Sequence, residues 1–197
     1  MPATKLRITG NAEADALNAN DPLALLISMV LDQQVPLEWA FLGPFTLTER
    51  LHGSLDAKAL AELDEDTLVT VFCERPALHR YPAAMARRVY ELCNVIVDEY
   101  DNDAASIWTT AADGKELFTR IKALPGFGEM KARIFVALLA KQFGVQPLGW
   151  QDQAKDYGKP DTFMSVADIV DEASLTKVRA FKAEKKAAAK AAAAAKS

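Results

Sequence analysis

One stretch of the chain brings together residue types at a spacing that could do chemistry: Ile121-x-x-Leu124-Pro125-Gly126-Phe127-Gly128-x-x-x-Ala132-x-x-Phe135. Leu124 and Phe127 suit the anchors of a tight hairpin. Gly126 and Gly128 would allow positive φ and let the backbone approach a neighbour closely. Small Ala132 permits close helix packing. The unpaired N–H groups opening the second helix would then point outward as a phosphate-binding nest, a grip on a polynucleotide backbone that reads no bases. Taken alone, the same pattern also fits a helix turn with no ligand. A second group, Arg75, Arg80, Arg87 and Arg88 around His79-Arg80-Tyr81, could touch a backbone or an unstacked base, or be a solvated face. Trp150, in a loop near the hairpin, could stack on an extruded base or pack in the core, and Trp39 is a large apolar group that suits core packing.

These residues need positioning elements, and the pattern predicts short amphipathic helices throughout, because apolar residues recur three and four apart in segment after segment. Asp21-Pro22 is an N-cap followed by proline at the first helical position, and predicts a helix to about Gln34. Gly43-Pro44 should interrupt the next helical stretch. Helices are predicted over Ser54–Leu63, Asp64–Cys73, Pro82–Tyr100, Asp101–Ala112, Asp113–Ala123 and Glu129–Phe143, with the hairpin lying within 113–143. Residues 145–163 read as loop, Asp171–Lys196 as one long helix, and Lys5–Thr9 as the sole candidate strand. Trp108 and Phe118 are assigned to the core.

The chain of 197 residues is 50% hydrophobic, enough to fold without staples. Its charge is uneven. From Lys177 to Ser197 seven basic residues face one acidic residue, whereas residues 1–176 carry a net charge of −10. The division is therefore a body, 1–176, and a basic Ala/Lys-rich helix or tail, 177–197, which either adds nonspecific phosphate contacts or keeps the chain in solution. No apolar run has the length of a membrane span and no signal-peptide pattern opens the chain, so a cytoplasmic protein with no membrane partner is expected. Two cysteines (Cys73, Cys93) and two histidines (His52, His79) argue against a metal site or iron–sulfur cluster, and two buried thiols are expected.

Two segments together resemble the helix-hairpin-helix (HhH-GPD) DNA glycosylases, the superfamily of endonuclease III, the adenine glycosylase of mismatch repair and the alkylbase glycosylases. Leu124–Ala132, LPGFGEMKA, is similar to that family's LPGVGxxTA-like hairpin. About ninety residues earlier, Asp21-Pro22 followed by Leu31-Asp32-Gln33-Gln34-Val35 looks like its D-P-(apolar)-L-S-Q-Q-T/V segment, and Tyr81–Ala86 lies between them where the family has a Y-x-x-K-A helix start. The resemblance covers about residues 15–155. It implies an all-α fold of two helical subdomains flanking a DNA-binding cleft, no cofactor, and a monomer acting on duplex DNA that holds a damaged or mispaired base. It also implies that Gln33, Gln34, Leu124, Gly126, Phe127, Gly128, Lys131 and Arg80 meet DNA, Gln34 filling the gap left by an extruded base. Met130 and Trp150 would border the base pocket.

The family's catalytic aspartate should fall near Leu148–Trp150, where this chain has no acid. Asp152 is the nearest carboxylate and is the candidate for stabilising an oxocarbenium-like transition state or activating water; its alternative reading is a helix cap. Asp156 is a poorer second choice. The lysine of bifunctional members is replaced here by Met130. Lys131, the next residue, lies about 100° further round the helix, which disfavours a Schiff-base mechanism. The resemblance thus implies a monofunctional, cluster-free glycosylase. A noncatalytic hairpin DNA binder and a helical interaction protein without nucleic acid are the alternatives.

Overall fold

The computed structural model describes residues 6–53 and 55–194, and among these every regular element is helical. The order is α1 (Ala12–Asn20), α2 (Pro22–Leu31), α3 (Leu37–Leu51), α4 (Ala57–Glu62), α5 (Glu65–Cys73) and α6 (Pro82–Tyr100). A single turn α7 (Ser106–Thr109) follows, then α8 (Gly114–Ala123), α9 (Glu129–Gln142), α10 (Trp150–Ala154) and α11 (Glu172–Ala194), with 3₁₀ turns at Lys155–Gly158 and Val166–Asp168. The all-α expectation holds.

Aspartate caps start the helices where the sequence places them. Asp21 accepts from the Ala24 amide at 3.0 Å ahead of Pro22, and Asp113 accepts from the Glu116 amide at 2.8 Å. Two helices are apolar on nearly every side and form the centre. All residues from Leu23 to Leu31 of α2 are buried, as are Phe135–Ala140 of α9. Helices α1 and α3 pack on α2, α4 and α5 on α6, and α8 and α10 on α9, and the buried apolar side chains form one continuous cluster. Asn18 ties the first layer together, since its buried amide donates to the Ala14 and Phe41 carbonyls and accepts from Ser28 Oγ at 2.6 Å.

Several elements differ from expectation, each for a local reason. Helix α2 stops at Leu31 rather than Gln34, because Asp32 takes up an inverse γ-turn (φ −69°, ψ 72°) with the Gln33 amide on the Leu31 carbonyl, and Gln34 is left-handed at φ 59°. Helix α3 runs through Pro44. The carbonyl that Pro44 leaves without an amide donor is that of Ala40; one residue on, the Asn18 amide holds the Phe41 carbonyl, and Gly43 leaves space that Leu31 fills, an added Cβ overlapping Leu31 Cδ1. Leu6–Thr9 finds no strand partner among the described residues; its Ile8 and Thr9 amides bind the Asp15 carboxylate instead, with Leu6 and Ile8 buried. The 101–112 stretch yields only one helical turn, and the 145–163 loop contains α10 and a 3₁₀ turn. Cys93 is buried, which pushes its thiol up to about 12, but Cys73 is exposed and both are free. Trp108 is buried edge-on against Phe135, while Phe118 is only half-buried under Arg133 and Lys122.

The terminal segment is not a detached tail. Leu175 and Val178 of α11 are buried, and residues 182–188 are exposed; Lys196 lies outside the described residues. No helix of the described residues is long and apolar enough to cross a membrane.

Gly114, the first residue of α8, sets the spacing between the hairpin and α10. A Cβ there would lie 2.5 Å from the Trp150 backbone nitrogen, which cannot swing away as a side-chain tip could. Gly114→Ala should therefore lower stability by about 1–3 kcal/mol in urea unfolding, as overpacking against fixed atoms does.

Candidate nucleic-acid interface

The hairpin follows from its sequence. Leu124-Pro125-Gly126-Phe127 closes with the Phe127 amide donating to the Leu124 carbonyl at 3.1 Å, with proline second and a positive-φ glycine (81°) third, the pattern of a type II turn. Leu124 and Phe127 are buried, Phe127 edge-on to Phe135 at 5.7 Å, so the turn is anchored from inside. Gly126 is required on two grounds: its φ favours glycine, and an added Cβ would stand 3.3 Å from the Val30 methyls of α2.

Gly128 differs from what the spacing predicts. Its backbone is extended (φ −102°, ψ 179°), open to any residue, and nothing lies within 4 Å of an added Cβ. It is exposed at the N-terminus of α9, no side chain caps that helix, and the amides of residues 128–131 have no partner among the described residues. The opening of α9 is therefore bare, with a row of N–H donors and the positive end of a 14-residue helix.

Against this hairpin lies the end of α2 with the two glutamines. Their positions differ in kind. The Gln33 carbonyl accepts from His79 Nε2 at 2.9 Å, and its side-chain oxygen accepts from Arg88. Gln34 is exposed, with no side-chain hydrogen bond among the described residues. His79 is fully buried and holds the loop to the start of α6, because its Nδ1 accepts the Tyr81 amide at 2.9 Å. That arrangement fixes a neutral ring with its proton on Nε2, and burial lowers its pKa. Trp39 and Tyr81, 37% and 44% exposed, flank the imidazole at 6.4 and 6.1 Å, and exposed Arg80 lies over the Tyr81 ring at 5.4 Å.

Lys131 joins the two parts. From the first turn of α9 its Nζ reaches across to the Val30 carbonyl at 3.2 Å, so the amine sits between the hairpin and the glutamine loop. Burial pulls it down from 10.5 to about 8, against the attraction of Asp32 and with repulsion from Arg88 and Lys182 adding to the fall. Asp32 and Lys182, which pair at 3.5 Å, are members of this cluster that spacing alone does not single out. Lys182 belongs to α11, far along the chain, and only tertiary structure places it here.

The other expected residues lie elsewhere. Trp150 is buried, with its ring against Gly158, where an added methyl would meet Cζ3 at 3.1 Å; it is a packing residue with no face open to a base. Met130 stands 61% exposed on α9 rather than lining a pocket. Asp152 is exposed on α10, which packs on α8 and α9, and makes no hydrogen bond or ion pair among the described residues. The neighbouring Gln153 carbonyl is held by Arg133 at 2.7 Å, fixing that helix to α9. Asp156 pairs with Lys159, which lowers its pKa. A cavity of about 760 Å³ between Leu6–Gly10, α1 and α11 is lined by none of the hairpin or glutamine residues. Comparison with family models, curated proteins and solved structures gives no match.

The two hairpin glycines should separate in a stability assay. Gly126→Ala is expected to cost about 1–3 kcal/mol through its left-handed φ and the Val30 contact, whereas Gly128→Ala should stay within about 0.5 kcal/mol of the parent.

A second expectation concerns pH. Between about 8 and the ordinary lysine range the folded chain has released the Lys131 proton while the unfolded chain keeps it, so this group makes stability rise with pH there. Urea midpoints at pH 7 and pH 10 should show the parent gaining on Lys131→Met over that interval; a constant difference would contradict the burial of the amine.

Proposed function

We propose that the chain binds duplex DNA through the bare N-terminus of α9 and acts as a monofunctional base-excision glycosylase of the helix-hairpin-helix type. The observation that carries this reading is the pairing of the glycine-opened helix start with an adjacent loop that exposes Gln34 on a left-handed backbone. Amides at such a start take a phosphate oxygen without discriminating sequence. Gln34, one residue beyond the anchored Gln33, is the side chain free to enter the stack when a nucleotide leaves it, and the exposed rings of Trp39 and Tyr81 offer faces for an unstacked base.

In this reading two helical subdomains flank the DNA. One contains the hairpin; the other joins the amino-terminal helices to α11, which the Arg179–Glu38 and Lys182–Asp32 pairs link directly. Asp152 supplies the carboxylate. It stabilises positive charge at the anomeric carbon or takes a proton from water as the C–O bond forms and the N-glycosidic pair leaves with the base. The chain needs no cofactor for this step, and the site of action is the compartment that holds DNA, the cytoplasm. The body is acidic and the cationic contacts are few, so affinity at moderate salt is expected to be weak.

A noncatalytic duplex binder is the second reading, favoured by Asp152 standing exposed without a hydrogen-bonding partner among the described residues. Duplexes each carrying one altered base, resolved before and after alkali, decide between them. The glycosylase reading expects alkali-dependent breaks that fall about 10²-fold or more in Asp152→Asn. Binding without breaks leaves the noncatalytic reading. A Gly128→Phe variant that folds and binds duplex as well as the parent removes the hairpin contact from both.

A further inference from the structure

We infer that the exposed half of α11 is a second contact for the phosphate backbone of duplex DNA, made through Lys185 and Lys186 beside the Gln34 loop. The inference rests on the duplex-binding reading and extends it to a surface outside the hairpin.

The helix is aimed rather than loose. Leu175 and Val178 seat its first turns, Arg179 Nε donates to Glu38 Oε1 at 2.7 Å, and Lys182 Nζ lies 3.5 Å from Asp32 Oδ2. These side chains share one stripe at three- and four-residue spacing, the stripe that faces the body. Lys185 and Lys186 continue it one turn on, about 4.5 and about 6 Å further along the axis than Lys182. Both are exposed and neither has a carboxylate within ion-pair distance among the described residues. Lys185 covers the Phe181 ring, its ammonium 5.9 Å from the centroid.

Charge complementarity selects the partner. Asp32, Arg88 and Lys182 all act on the Lys131 amine, with Asp32 pairing Lys182 and Arg88 bound to Gln33, so cations outnumber carboxylates there and the two further lysines extend that surplus past the loop. Residues 1–176 carry a net charge of −10, so the positive cluster around Lys131 and Lys182 is local, and Lys131 ties it to the hairpin from the first turn of α9. A polyanion of regular charge spacing lying across the α9 amides would meet these lysines without touching any base.

The test uses the full chain, a plain fluorescent duplex and anisotropy across a potassium chloride series. Lys185→Ala/Lys186→Ala keeps strong helix formers and touches no buried side chain, so circular dichroism and melting should match the parent. Its plot of log affinity against log salt should be shallower by about 1–2, near one for each phosphate that is no longer neutralised, with weaker binding at low salt. An unchanged slope in the double variant, while Gly128→Phe weakens binding, overturns this inference and leaves the hairpin reading standing. Abolished binding in the double variant with full binding by Gly128→Phe makes the tail an independent cation, overturning both. Equal competition by polyglutamate would identify a general polyanion surface and overturn the assignment to DNA.

Discussion

The seating of Gly126 on Val30 is the contact on which the remaining arrangement depends. It brings the hairpin turn against the last turn of α2, and it leaves the Val30 carbonyl where the Lys131 amine can reach it. The glutamine loop begins two residues further on, at Asp32, so the distance between the α9 amides and Gln34 is set by this one apposition of a glycine and a valine. A side chain in place of the missing Cβ would push the two surfaces apart.

Around that junction polar groups are handled unequally, and the inequality separates support from presentation. Gln33, His79 and Arg88 have their hydrogen-bonding capacity turned inward, while Gln34, Tyr81 and the start of α9 are left outside. Burying Lys131 costs desolvation, which Asp32 offsets only in part, and the lowered pKa records that imbalance. The cluster is positive in a chain whose body is strongly negative, so its electrostatics are local and do not follow from net charge.

The helical nature of the chain is legible from periodicity, as are the capped starts of α2 and α8, because a cap is a local hydrogen bond that three or four residues specify. The turn at Leu124–Phe127 is legible for the same reason. Contacts between distant segments are not. Nothing near Lys182 announces Asp32, and nothing near Trp150 announces that Gly158 will cover its ring. Helix α2 ends three residues before its pattern suggests, because a hydrophobic face cannot reveal an inverse γ-turn stabilised by a histidine and an arginine from elsewhere. The two glycines of the hairpin look equivalent in sequence; only packing distinguishes the one that must be glycine to fold from the one whose side-chain space is vacant.

Gln34 holds a left-handed backbone that a residue of its kind adopts only under constraint, with Gln33 pinned beside it and Val30 pinned below. The conformational entropy of presenting that amide has thus been given up during folding. An incoming molecule meets a side chain whose root is already immobile, so association need not freeze the loop, and more of each contact's energy remains as affinity.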